Sequence, residues 1–147
     1  MAQIFRCDDR HFDQMYDVHV ECFGEEAMPK NIFMDEINTP SRVYFVALDD
    51  QTKDVIAYAG AWNTGTDYSI ISVATKPDYK RQGIATRLLS RLVEDAREKE
   101  IYALSLEVNE HNEPAINLYR KIGFIITNTR KNYYKNNAAA HIMWLYL

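Results

Sequence analysis

The chain has 147 residues, a net charge of −4, 47% hydrophobic residues and 26% charged ones. These values suit one soluble globular domain with a real core. They argue against a broad nucleic-acid-binding face, and no apolar run approaches the ~20 residues that cross a bilayer. Two cysteines, Cys7 and Cys22, fit reduced thiols of a cytoplasmic protein, without metal-ligand spacing. The start, Met1 to Arg6, lacks the apolar core of a signal peptide. No repeat, low-complexity run or linker divides residues 1–147, so a single domain is expected.

Gln3 to Cys7 has the composition of a short strand. Asp9 to Phe23 is expected to be helical, because Phe12, Met15, Val18, His19 and Cys22 recur at three- or four-residue spacing. Glu25 to Ile37 is a second helical region, interrupted early by Pro29. Val43 to Leu48 and Val55 to Trp62 are β-rich and flank the turn-like run from Asp49 to Asp54, which predicts a hairpin. A further strand is expected from Tyr68 to Thr75. The clearest helix starts near Gln82 and should end near Glu100. Its Ile84, Leu88, Leu89, Leu92, Val93 and Ala96 form one apolar stripe, with Arg87, Arg91, Glu94, Asp95 and Glu98 largely off it. Ala103 to Val108 is a short strand, with Ala103, Ser105 and Glu107 sharing one face. A helix over 112–122 follows, with Asn112 as its cap, Pro114 in its first turn and Gly123 at its stop. Phe124 to Tyr134 and Ala140 to Leu147 are the last expected strands. A meander of strands followed by strand–helix–strand–helix–strand implies a mixed α/β sheet.

The run from Pro77 to Thr86 is the most informative stretch. Helix starts attract acids and Ser/Thr caps, yet this one has no acid in its first turn, a glycine at Gly83, and cations at Lys80, Arg81, Arg87 and Arg91. Free backbone N–H groups, the positive helix end and nearby cations make a receptor for phosphate.

These blocks resemble the GNAT superfamily of N-acetyltransferases, and within it the bacterial RimI type. The first block is Val73-Ala74-Thr75-Lys76-Pro77 with Lys80-Arg81-Gln82-Gly83-Ile84-Ala85. The second is Leu106-Glu107-Val108, Asn112, Ala115-Ile116, Leu118-Tyr119 and Gly123-Phe124, and the third is Arg130 to Tyr134. The resemblance implies a GNAT fold, with about six or seven strands, about four helices and two parallel strands splayed at the acetyl-CoA site. It implies acetyl-CoA as cosubstrate and no metal. Val73, Ala74, Thr75, Arg81, Gln82, Gly83, Ile84, Ala85, Thr86 and Asn112 would hold it. Glu107 would be the general base, Tyr119 the general acid, and the Val73 N–H an oxyanion donor. Tyr133 and Tyr134 would line the acceptor channel, or else pack on the sheet.

The acceptor implied is a protein N-terminal amine, namely the alanine of ribosomal protein S18; independently of the resemblance, a monomer is the default expectation. The alternatives are another protein N-terminus, a small amine, or a non-catalytic acetyl-CoA-binding module. Three positions depart from the family. Lys80 stands for the usual Arg or Gln, Met28-Pro29-Lys30 lacks a tryptophan after the proline, and Ala138-Ala139-Ala140 replaces acidic residues. The four histidines, His11, His19, His111 and His141, form no constellation in the sequence and read as surface or satisfied groups.

Overall fold

A computed structural model describes residues 2–147. Seven strands are β1 (Gln3–Arg6), β2 (Arg42–Leu48), β3 (Val55–Asn63), β4 (Asp67–Thr75), β5 (Ala103–Asn109), β6 (Ile125–Arg130) and β7 (Ala140–Tyr146). Four α-helices are α1 (Phe12–Phe23), α2 (Lys30–Ile37), α3 (Ile84–Glu98) and α4 (Glu113–Ile122). The strands form one mixed sheet in the order β1-β2-β3-β4-β5-β7-β6.

Two cores flank the sheet. On one face, Met15 and Val18 of α1 and Phe33 and Ile37 of α2 pack on Tyr44, Val46 and Tyr58. On the other, the α3 stripe packs with Ile116 of α4 on Phe45, Ala57, Ala59, Leu104 and Leu106. Strands β2 and β3 are covered on both sides, so Val43 to Leu48 and Val55 to Ala61 are buried without alternation. Gly60 is required there, because the Tyr44 ring lies where a Cβ would stand.

Helix α3 begins at Ile84, just past the expected start, and ends at Glu98, where the chain turns through a left-handed Glu100. One of its charged residues lies inside rather than outside. Asp95 is buried, and accepts a hydrogen bond from the Tyr68 hydroxyl at 2.6 Å and an ion pair from Lys99 at 2.9 Å. These partners hold its carboxyl below the ordinary range despite burial, which acts the other way as the largest single influence.

Strand β6 is shorter than expected and stops at Arg130. Asn132 and Asn137 take left-handed backbone angles, and the amides of Tyr133 and Tyr134 both donate to the Ala138 carbonyl. The two tyrosines therefore stand in a turn, not in a strand. Ala138, Ala139 and Ala140 are buried rather than on the surface. Their carbonyls tie down this turn and, through the Ala139 oxygen and the Glu110 amide, the end of β5.

The feature that positions the site is the β4–β5 pair. It is parallel, and its ladder holds only Asp67 with Ala103, Tyr68 with Leu104, and Ser69 with Ser105. Both strands run on beyond that point without pairing to each other, so the sheet opens between them.

Candidate active site

The edges of this opening carry backbone groups whose direction follows from the register. The Lys76 amide donates to the Ile56 carbonyl at 2.9 Å, which makes that a hydrogen-bonded pair of the antiparallel β3–β4 ladder. Alternation then turns Ala74 and Ser72 toward Tyr58 and Gly60 of β3. Val73 and Thr75 face the other way, into the gap. The Thr75 carbonyl confirms the direction, since it accepts from the Cys22 thiol at 3.3 Å and not from β3. Of the three residues expected to hold a ligand by backbone, Val73 and Thr75 present open N–H groups. Ala74 spends its backbone on β3 and its methyl in the α1–α2 core. A register shift between Gly60 and Ala61 leaves Ile71 as an extra residue in β4. Such a bulge raises local twist and helps the strand diverge.

The start of α3 stands at the C-terminal end of β4. Gly83 is its N-cap, with φ of +78°, and no side chain caps the helix. Arg81 also has a positive φ, 64°. The glycine thus has a conformational reason, because a left-handed cap disfavours any Cβ. The space above it is open, with nothing within 4 Å of a built Cβ. The first N–H groups of the helix have no intrahelical partner by geometry. Lys80 and Arg81 flank this site. Two cations expected to join them do not: the Arg87 guanidinium donates to the Ala2 carbonyl at 2.7 Å, and Arg91 lies over the Phe45 ring at 4.8 Å. Arg87 is thus spent on the residue before β1, and Arg91 on β2. An uncapped, uncrowded helix start beside an opened strand pair fits a phosphate-bearing, amide-rich ligand such as acetyl-CoA.

Glu107 lies on β5, two residues past the last paired position, on the face away from α3. Its side chain is 39% exposed, so the carboxylate is partly covered by protein and partly open to solvent. Arg130 of β6 approaches its carboxylate at 3.5 Å and lies over the Tyr133 ring at 5.9 Å. Tyr133 and Tyr134 meet edge to face at 5.1 Å. The Glu107 carboxylate raises the Tyr133 phenol above its ordinary value. Glu107, Arg130, Tyr133 and Tyr134 therefore form one cluster at the mouth of the gap. Arg130 is the member that sequence reasoning passed over, although it heads the Arg130–Tyr134 motif.

Tyr119 approaches from the opposite face. It sits on α4, packs against the α3-side core and meets Phe124 edge to face at 5.9 Å. Burial raises its phenol above the ordinary value, which keeps it protonated. Asn112 caps α4, accepting from the Ala115 amide at 3.3 Å. A separate cavity of about 390 Å³ lies over β1 and β2, lined by residues such as Arg6, Cys7 and Tyr44, away from the gap.

Comparison with known proteins agrees with this geometry. Residues 12–124 match the Acetyltransferase (GNAT) family. A Bacillus subtilis (strain 168) protein provisionally named ribosomal protein bS18-alanine N-acetyltransferase is 33% identical over 134 residues, covering 90% of this chain and 87% of the relative. The N-alpha-acetyltransferase RimI of Mycobacterium tuberculosis (strain ATCC 25618 / H37Rv) is 32% identical over 120 residues, 79% of this chain and 73% of that one. Among solved structures, the Escherichia coli ribosomal-protein-S18-alanine N-acetyltransferase superposes with a TM-score of 0.88 at 24% identity, over 99% of this chain and 94% of that one. Arabidopsis thaliana NAA60 in complex with acetyl-CoA gives 0.86 at 15% identity, over 100% and 99%. The opened β4–β5 pair and the uncapped helix start thus belong to a recognised architecture, and the chain is a member of the GNAT family and an N-acetyltransferase.

Proposed function

We propose that the chain transfers acetyl from acetyl-CoA to a protein N-terminal α-amine, with the N-terminal alanine of ribosomal protein S18 as acceptor. The observation that carries the reading is the opening of β4 from β5 beyond Ser69 and Ser105, with Glu107 and Tyr119 on its two faces. The relatives named for bS18-alanine acetylation support the acceptor.

The N–H groups at the start of α3, from Gln82 to Thr86, with Arg81 and Lys80 beside them, hold the pyrophosphate. Gly83 lets it approach closely. Val73 and Thr75 pair with the pantetheine amides as a third strand would. An α-amine has a pKa of ~8 and is mostly protonated at neutral pH. Glu107, directly or through a water, accepts that proton, and Arg130 orients its carboxylate. The freed amine attacks the thioester carbonyl in a ternary complex. The Val73 N–H donates to the oxygen as it gains charge. Tyr119, a phenol kept protonated by burial, donates to the departing thiolate. The Cys22 thiol beside the gap donates to the Thr75 carbonyl, and its pKa is raised by burial rather than lowered toward an activated thiolate, which favours direct transfer over a covalent acyl-enzyme.

The test is mass spectrometry of S18 N-terminal peptides incubated with acetyl-CoA and the protein. Acetylation confined to the α-amine of the first alanine is expected. An unmodified S18 peptide beside an acetylated other N-terminus or small amine would move the acceptor. No acceptor-dependent CoA release with any amine would favour a binding module.

A further inference from the structure

Proton transfer, oxyanion support and cofactor binding leave one buried polar chain unused. It starts at His19 of α1, which is 4% exposed. The Met28 amide, in the loop between α1 and α2, donates to His19 Nε2 at 2.9 Å. His19 Nδ1 lies 2.8 Å from the Tyr58 hydroxyl, and that hydroxyl lies 3.4 Å from Ser72 Oγ on β4. The Tyr16 hydroxyl donates to the Met28 carbonyl at 2.8 Å, so the Met28 residue is held on both sides.

Chemistry fixes the tautomer. An amide N–H can only donate, so Nε2 must present its lone pair. The proton of the neutral ring is then on Nδ1, which donates to Tyr58, and the Tyr58 hydroxyl shares a further hydrogen bond with Ser72 Oγ. The ring is enclosed by Tyr16 and Phe23 of α1, Phe33 of α2 and Tyr58 of β3, with centroids 4.6 to 6.5 Å away. The titratable groups around it are the two phenols and, beyond Tyr58, the Cys22 thiol. Burial lowers the pKa of the ring below the ordinary histidine value. A second proton would go to Nε2 and set it against the Met28 N–H, donor to donor.

The far end of this chain stands beside the chemistry. Ser69 pairs with Ser105, and β4 carries the extra residue Ile71. Ser72 is therefore level with Glu107 across the gap, on the same face of the sheet. We infer that His19 is a positioning residue for the acceptor amine. As a neutral imidazole it fastens the loop over 24–29 to β4 opposite Glu107, and protonation releases that loop. This rests on the proposed reading, in which the acceptor enters on this face.

The test compares wild type with His19→Ala and His19→Gln, whose amide oxygen can replace Nε2 as acceptor without titrating. Acetyl-CoA affinity, kcat, the KM for the acceptor peptide and hydrogen exchange at the Met28 amide are measured from about pH 7.5 downward to the acid limit of the native fold. In His19→Ala the acceptor KM should rise about tenfold, as befits one lost backbone hydrogen bond, and Met28 exchange should quicken by a similar factor. Its kcat and acetyl-CoA affinity should stay within about twofold, since the groups that hold the cofactor are untouched. His19→Gln should keep both KM and protection. On acidification every form loses free amine, but wild type should lose more than His19→Gln, because only wild type also releases the loop. An unchanged acceptor KM in His19→Ala, a parallel loss of acetyl-CoA binding, or equal acid profiles for wild type and His19→Gln would overturn the role. A wild-type protein that acetylates no peptide amine overturns the functional reading and this role with it. Failure of the role alone appears only in the variants.

Discussion

Gly83→Ala separates the two reasons for a glycine at the start of α3. The free protein has room for the added methyl, since nothing stands within 4 Å of a built Cβ. The cost to folding is therefore only the left-handed backbone at φ +78°, about 1–2 kcal/mol. For a domain of this size that lowers Tm by about 3–8 °C. Binding should suffer beyond this. The methyl enters the space over the helix N–H groups where a pyrophosphate must come close. A charge-assisted hydrogen bond is worth about 1.5–3 kcal/mol, so acetyl-CoA Kd should rise about 10- to 100-fold. The assay pairs thermal unfolding without ligand with calorimetric titration of acetyl-CoA at a temperature where both proteins are folded. Wild-type affinity in the folded variant would refute the placement of the pyrophosphate. A Tm loss far larger than stated would mean that the open space over Gly83 is filled in solution.

Glu107→Gln should lower kcat about 10²-fold, the ordinary yield of a general base, with acetyl-CoA affinity kept; wild-type turnover would remove Glu107 from the mechanism. Tyr119→Phe should slow acetyl transfer in steady-state assays while the thermal transition stays close to wild type. Because burial raises the Tyr119 phenol, wild-type kcat should show no alkaline loss from this group below pH ~10, and a lower limb that disappears in Tyr119→Phe would contradict it. Asp95→Asn should cost about 2 kcal/mol, the value of a buried charge-assisted bond, read as a lower Tm at pH 7. The folded Asp95 carboxyl titrates below its ordinary 3.8, so this stabilisation is complete above that value and fades as pH falls through the folded one. The Tm difference should accordingly close only in strong acid.

What the sequence disclosed depended on whether the signal was local. The α3 stripe is legible because helical spacing and burial coincide along fifteen residues. Asp95 was misplaced because its partner Tyr68 lies 27 residues away. Counting cations near Gly83 overstated the phosphate site, since Arg87 and Arg91 lie down the helix and are claimed by Ala2 and Phe45. Tyr133 and Tyr134 have the β propensity of strand residues, yet the strand stops at Arg130 and a left-handed Asn132 turns the chain before them. The bulge at Ile71 has no signature in composition. The His19 chain joins residues 19, 28, 58 and 72, which no spacing rule brings together.

On the proposed function, the opening of the sheet lets cofactor and acceptor be read by different segments. A pocket on one face would force both substrates to share its walls. Here the two faces are lined independently. The side toward α3 and α4 supplies the Gly83 helix start and Tyr119, the groups proposed to meet the cofactor and its leaving thiolate. The side toward α1 and α2 supplies Glu107 with Arg130, Tyr133 and Tyr134 from one direction and the Met28 loop from the other. Only backbone groups of β4 and β5 face both. On the proposed function, changes at Met28, Lys30 or Tyr133 are expected to alter which amine is accepted while leaving the Val73 and Thr75 amides in register. On the same proposal, the absence of a tryptophan after Pro29 falls on the acceptor side alone, where a change of amine would leave the cofactor groups untouched.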